Sequence, residues 1–340
     1  MAVRPIVYAL VLMILGVAAP GCGTTVPTAW HLDVPLPKDP AVLVAWRDGL
    51  VLGGGAEVRW LRDGRPPVVR RLPAPVRAAA VDAGGALWLG TARGLYRLTT
   101  PEAPLDTLHL PALDPQPAVT ALAVSPGDAL WVGTERFGVF TRRDTTWRPA
   151  LAAAPVHALA VMPDGAAWVG TGIGLFRRMG RGWLVYSEEG TANHGLPDNI
   201  VERLVATPSG LWVVMSEAVA FFPAGDEDHP AEFTYLGRRG NRIHDVEALP
   251  GGGFILATDD GLVHLREMPH AGAHGNNLRE LQVAEAEVAR RLPPEHAGLP
   301  PLPHPVTRLL RDGGHVWLAR RDGVFPLPAP VPAAIAAYVP

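Results

Sequence analysis

Twelve histidines are spread through this chain of 340 residues, and the tightest grouping is His264, His270 and His274, the last two at i, i+4 in HAGAH. Two histidines at that spacing hold zinc when they share a helix and a glutamate between them activates water. Here the residues between them are Ala, Gly and Ala in a segment bounded by Pro and Gly, so no metal site is expected. The acidic run Gly225–Asp228 (GDED) lacks the alternating oxygen ligands and closing glutamate of a calcium loop, and reads as a solvated turn. GxSxG, P-loop and CxxC motifs are absent and no carboxylate pair stands out, so no catalytic residue and no cofactor is assigned. The charged residues that do recur in register are Arg93, Glu135, Arg136, Glu217, Asp259, Asp260, Arg320 and Arg321. Each lies within a copy of one short phrase.

The phrase is GALWLGTARGLYRL from Gly85, DALWVGTERFGVFTR from Asp128, GAAWVGTGIGLFRR from Gly165, GLWVVMSEAVAFF from Gly210, GGFILATDDGLVHL from Gly252 and GHVWLARRDGVFPL from Gly314. A worn seventh copy, GLVLGGGAEVRWL, starts at Gly49. Equivalent positions are Val51, Trp88, Trp131, Trp168, Trp212, Ile255 and Trp317, spaced 37 to 44 residues apart except for one gap of 62. A Gly-rich strand phrase at a period near 40 specifies an all-β, seven-bladed β-propeller of four-stranded antiparallel blades.

The copy around Trp168 shows how one blade is built. Val156–Val161 alternates into a first strand, MPDG turns the chain, and Ala167–Gly170, Leu175–Arg178 and Trp183–Tyr186 supply the other three. Turn signals at Pro126, Pro163, Pro208, Pro250 and Asp312 fall between first and second strands, as a repeated hairpin requires. A meander cannot bury both faces alone, so the recurring Trp is expected to fill the layer between neighbouring blades. Gly90, Gly133 and Gly170 then allow close approach or a turn. In the last copy the strands are Val306–Leu310, His315–Ala319 and Val324–Leu327, followed by a proline-broken tail. Its fourth strand is expected from Trp30–Val34, which would join the two chain ends and remove an exposed edge. The long gap holds an insertion, 268–304, in which Leu278, Leu281, Val288 and Leu292 share one side of a helical wheel; a short helix is expected near 276–292.

One propeller uses nearly the whole length, leaving no room for a second globular domain. The formal net charge is −3, too small to supply the field that draws proteins to nucleic acid, and no nucleic-acid partner is expected. Arg4 and the apolar run Ile6–Val17 read as a targeting segment, too short to span a bilayer comfortably. Ala18, Ala19, Pro20 and Gly21 lead into Cys22, the only cysteine, in a pattern that looks like a bacterial lipobox apart from Pro20. The expected plan is a lipoprotein-type signal peptide over 1–21, a tether over 22–29 with Cys22 lipidated, the propeller over 30–328 and a tail over 329–340. Lipid chains on Cys22 exceed what stable membrane attachment needs, and the lack of Asp after the cysteine points to the outer membrane.

The segment YSEEGTANHGLPDNIVERLVATPSGLWV resembles the two-component regulator propeller repeat, through Gly195, Leu196, Pro197, Asp198, Asn199, Ile200, Gly210, Leu211 and Trp212. The WxGTxxGL half is kept best at Trp88–Leu95 and Trp168–Leu175. The resemblance implies a periplasmic sensing propeller. In this family such propellers commonly belong to hybrid histidine kinases, whereas no phosphoacceptor helix or ATP-binding motif follows the seventh copy here, so kinase output is not expected.

The functional expectation is therefore a noncatalytic binding or scaffold propeller in the cell envelope. Its candidate binding face is the set of charged loops between second and third strands, because loops on a rigid scaffold carry propeller function. Their mixed sign suits a small polar ligand or an envelope protein. The alternative is a lyase or hydrolase with its site in the axial channel, where histidines and carboxylates of shifted pKa from several blades would converge.

Overall fold

The computed structural model describes residues 29–111, 113, 115–153, 155–189, 196–216, 218–225, 231–234, 242–249, 253–259, 261–265, 289–292, 305–312 and 314–327. Their regular structure is entirely strand, arranged as seven sheets of four antiparallel strands. Each sheet is one blade. The innermost strands are Val42–Trp46, Val76–Val81, Val119–Val124, Val156–Val161, Val201–Thr207, Ile243–Ala248 and Arg308–Asp312. In six blades the chain then runs outward through its three following strands in order.

The seventh blade closes the ring. Its outer strand is Trp30–His31, with Trp30 opposite Val324 and His31 opposite Gly323. The pairing is shorter than the expected Trp30–Val34, but the contact continues as Leu32 donates its N–H to the carbonyl of Asp322 at 2.9 Å and Leu36 to that of Arg321 at 2.8 Å. The first strand of this blade begins at Arg308 rather than Val306, and Thr307 just before it donates its hydroxyl to the carbonyl of Pro40 in blade one at 3.1 Å. One expectation is corrected: Ala289–Leu292, inside the anticipated helix, form the outer strand of blade six, antiparallel to Gly261–Leu265. The otherwise open edge of that strand takes them as its partner, as sheet edges demand. Residues 276–288 of that expected helix, and the leader, tether and tail, lie outside the described residues.

Between blades the tryptophans do what stacked sheets require. Trp168 packs on Phe222 of the next blade at 5.3 Å and Trp212 on Phe254 at 4.6 Å between ring centres. Trp88 joins Leu122, Leu130 and Val132 of blade three, and Trp317 joins Leu43 and Leu50 of blade one. Burying a ring of this size removes on the order of 200 Å² from water. The glycines after three of these tryptophans form the sockets: a Cβ on Gly90, Gly133 or Gly170 would lie 2.6, 2.5 or 2.5 Å from Cγ1 of Val119, Val156 or Val201, the first residue of the next blade. Blades two, three and four are each keyed in this way to the blade that follows.

Candidate functional site

At the start of the innermost strands, five blades carry the same irregularity. The register slips between Val76 and Ala78, Val119 and Ala121, Val156 and Ala158, Val201 and Arg203, and Ile243 and Asp245. One residue is extra each time: Arg77, Thr120, His157, Glu202 and His244. A bulge of this kind takes a side chain out of the ladder and re-aims it. All five line a cavity of about 440 Å³ that is bounded by the innermost strands of all seven blades, so it lies on the propeller axis. No tryptophan lines it.

Charge in this cavity is lopsided. Arg77, Arg203, Arg242 and Arg308 line it against one carboxylate, Glu202. Arg242 is paired with Glu202 at 2.9 Å, and Arg203 donates from Nε to Oδ1 of Asp245 at 2.5 Å. Asp245 is fully buried and its remaining oxygen accepts the Leu309 N–H at 2.9 Å, so one carboxylate ties blades five, six and seven together. Arg308 differs from the others. Its Nε donates to the carbonyl of Ala41 at 2.8 Å and Nη1 to that of Thr307 at 2.5 Å, and no carboxylate pairs with it among the described residues. Loss of hydration first, and the like charge of Arg203 second, lower its pKa from the ordinary arginine range to about 10, with Asp245 acting in the opposite direction. It therefore remains cationic at neutral pH with nothing to neutralise it directly.

The two histidines are held as well. Nδ1 of His157 lies 3.2 Å from the carbonyl of Val201, which can only accept, so Nδ1 carries the hydrogen and Nε2 the lone pair of the neutral ring. Nε2 of His244 lies 2.7 Å from Oδ1 of Asp259. Glu247 has its pKa raised, by burial first and by Asp245 among the further causes, but it lies outside the cavity lining and accepts the N–H groups of Ala248 and Arg311. Among the described residues, no cluster of three or more His, Cys, Asp or Glu could hold a metal ion.

The loops between second and third strands share this face, since the second strand ends where the first begins. They are rigid. Thr91, Thr134 and Thr171 are buried and donate their hydroxyls to the carbonyls of Gly94, Gly138 and Gly174, pinning each turn. Of the residues singled out from sequence, Arg93, Glu135, Arg136 and Asp259 are exposed there. Glu135 reaches Arg77 at 3.5 Å and Asp259 reaches His244, so two of them touch the cavity lining. Arg320 is instead fully buried, with Nη2 on Asp322 at 2.5 Å, and Arg321 donates to the carbonyl of Leu36 at about 3.0 Å; both sit at the ring closure. Glu217 and Asp260 lie outside the described residues. The inner-strand residues themselves were missed. Their signal was a polar residue wedged after the first aliphatic of each strand, as in VRA, VTA, VHA, VER and IHD.

No protein-family model matches the chain, and no curated protein sequence matches it. Solved structures do. Virginiamycin B lyase from Staphylococcus aureus matches with a TM-score of 0.65 at 14% identity, over 88% of this chain and 98% of that one. The extracellular domain of the hybrid two-component system protein BT3049 from B. thetaiotaomicron matches with a TM-score of 0.70 at 16% identity, over 91% of this chain and 41% of that one. YCF48, solved bound to a D1 peptide, matches with a TM-score of 0.60 at 14% identity, over 90% of this chain and 99% of that one. What they share with this chain is the propeller fold. On one such propeller the lyase carries catalysis, and on another YCF48 carries a peptide, so the architecture by itself decides neither.

Proposed function

We propose that this propeller is a noncatalytic binding module of the bacterial cell envelope, anchored through lipidation of Cys22, whose axial face captures a polar ligand or a protein. The observation that carries this reading is the axial cavity, lined among the described residues by four arginines and one glutamate, with no carboxylate among them paired to Arg308. A group at an entrance built from bulges on all but two blades, and framed by pinned loops, is preorganised for a partner. The extracellular placement of the BT3049 domain and the bound peptide of YCF48 support the envelope and the capture respectively, as analogies of fold. The test is crosslinked capture from native envelopes with the full chain. Arg93→Glu combined with Arg242→Glu should cut the recovered partner at least tenfold at an unchanged melting temperature; equal recovery rejects the axial face.

A second reading is favoured by His157, which presents a fixed tautomer in the cavity wall and is the kind of group that acts as a general base. Mass spectrometry of the captured ligand separates the two. Chemical alteration by the wild-type protein but not by His157→Ala favours an enzyme, and an intact ligand from both favours the binding module.

A further inference from the structure

Beside the cationic cavity, the same face exposes an apolar path across three consecutive blades. Phe137 in blade three, Ile173 in blade four and Ile200 at the entry to blade five are 47%, 57% and 47% exposed, and Ile200 is also part of the cavity wall. Phe137 and Ile173 directly precede the glycine that ends the loop between second and third strands. Blades two and seven carry Arg93 and Asp322 at that position, and blade six carries Asp260. At this loop position the large apolar residues fall in blades three and four, next to Ile200, while Val34, 67% exposed, lies apart at the ring closure.

None of the three is free to fold away. The N–H of Phe137 is held by the hydroxyl of Thr134 at 2.9 Å, that of Ile173 by the hydroxyl of Thr171 at 3.1 Å, and that of Ile200 by the carboxylate of Asp198 at 2.9 Å. Fixed turns keep large apolar side chains in water, where a partner that covers them recovers the hydrophobic term with little loss of loop entropy. Exposed apolar groups rimmed by polar ones mark interaction surfaces.

We infer that the occupant of the axial face is an extended peptide segment of a protein partner, with a carboxylate against Arg308 in the cavity and apolar side chains across Ile200, Ile173 and Phe137. The inference rests on the binding reading above and names its partner class. Arg308 supplies the charge complementarity: a half-buried guanidinium whose donors, among the described residues, reach backbone carbonyls gains from an anion, and a carboxylate matches its planar fork. A peptide brings a carboxylate and apolar side chains on one chain. A glycan would need flat aromatic platforms, and the path offers one aromatic and two aliphatic residues. The carboxylate has two sources, a chain terminus or an acidic side chain.

Two random heptapeptide libraries, one displayed with free C termini and one tethered through the C terminus, are selected on the detergent-solubilised full chain. The expected result is enrichment of peptides carrying a carboxylate and at least two apolar residues, from the first library alone if the terminus is read and from both if a side chain is read. Affinity for a selected peptide should fall at least tenfold in Arg308→Met and, separately, in the doubly substituted Phe137→Ser, Ile173→Ser protein, whose exposed positions leave the melting temperature unchanged. The inference is overturned by no enrichment, by enriched peptides without a carboxylate, or by affinity that survives both variants. If envelope capture still depends on Arg93 and Arg242 while the libraries yield nothing, the binding module stands and the peptide is wrong.

Discussion

In blades two, three and four the residue after the bulge is Ala78, Ala121 or Ala158, opposite Gly90, Gly133 or Gly170. In blades five, six and seven the same register position holds Arg203, Asp245 or Arg308, opposite Val214, Ala257 or Ala319. One half of the ring packs small residues so that the next blade can seat its valine. The other half replaces that device with an ionic strut and a cavity-lining cation. A repeat protein gains nothing in folding from breaking its own pattern, so consistent departures mark where another demand has been imposed. Here the departures surround the axial cavity.

The largest test of this contrast is Asp245→Ala. Asp245 is buried but Arg203 is 33% exposed, so the loss falls below the cost of breaking a fully buried pair, at about 2–4 kcal/mol, part of it from the Leu309 N–H left without its acceptor. Denaturant midpoints should show a loss of that order, with Asp245→Asn between the two, since Asn still accepts from Leu309 but no longer neutralises Arg203. A loss below about 1 kcal/mol would mean that blades five to seven are held by apolar packing alone.

On the regular side the matching change is Gly133→Ala. A Cβ there would meet Val156 at 2.5 Å, and overpacking of this sort costs about 1–3 kcal/mol. The same thermal or denaturant series measures it. An unaffected midpoint would show that the small-residue socket is dispensable, and with it the distinction between the two halves.

How far each half could be read from sequence follows from the same contrast. The strands of blade four were legible to within a residue or two because Trp168, Gly170 and the MPDG turn repeat a rule that packing enforces in every regular blade. Closure by Trp30 was legible because an unpaired outer position left the ring one strand short. The outer strand at Ala289–Leu292 was not, since its residues fit a helical wheel equally well and only the open edge of Gly261–Leu265 decides between the two. At the site, the charged loop residues Glu135 and Asp259 reach the lining of the axial cavity, yet Arg320 shows that charge in a loop phrase does not imply exposure. Arg77, His157 and His244 escaped notice because a bulge is a backbone event, and the polar residue in a phrase such as VHA becomes a signal only when the five inner strands are set side by side; Arg203, Arg242 and Arg308 stand beside those positions without any shared phrase.

Arg308→Met sharpens the comparison from the other side. With a folded pKa of about 10, below the ordinary arginine range, the guanidinium binds its proton less tightly in the folded chain, so its charge costs stability at every pH below about 10. Replacing it by an apolar side chain of similar length should leave the midpoint at pH 7 unchanged or slightly raised while peptide or ligand capture is lost. A clear destabilisation would recast Arg308 as a strut like Asp245, held for its bonds to Ala41 and Thr307.

The smallest expected effect lies two residues further along the innermost strand. Ala80, Ala123 and Ala160 occupy this position in the regular blades, each opposite a tryptophan, and Glu247 occupies it in blade six, opposite Ile255. Burial, and to a lesser degree Asp245, raise the Glu247 pKa above its ordinary value near 4.5. The folded state therefore holds this proton more tightly than the unfolded chain does. Its contribution to stability is complete below about pH 4.5 and is lost as pH rises through the folded value. Glu247→Gln keeps an acceptor for one of the two N–H groups that the carboxylate serves, which adds an offset independent of pH. The difference in melting temperature, wild type minus variant, should therefore fall as pH is raised from 4.5 to 7. A flat difference would mean that water reaches Glu247 freely, and that blade six departs from the alanine rule there without the cost that its burial implies.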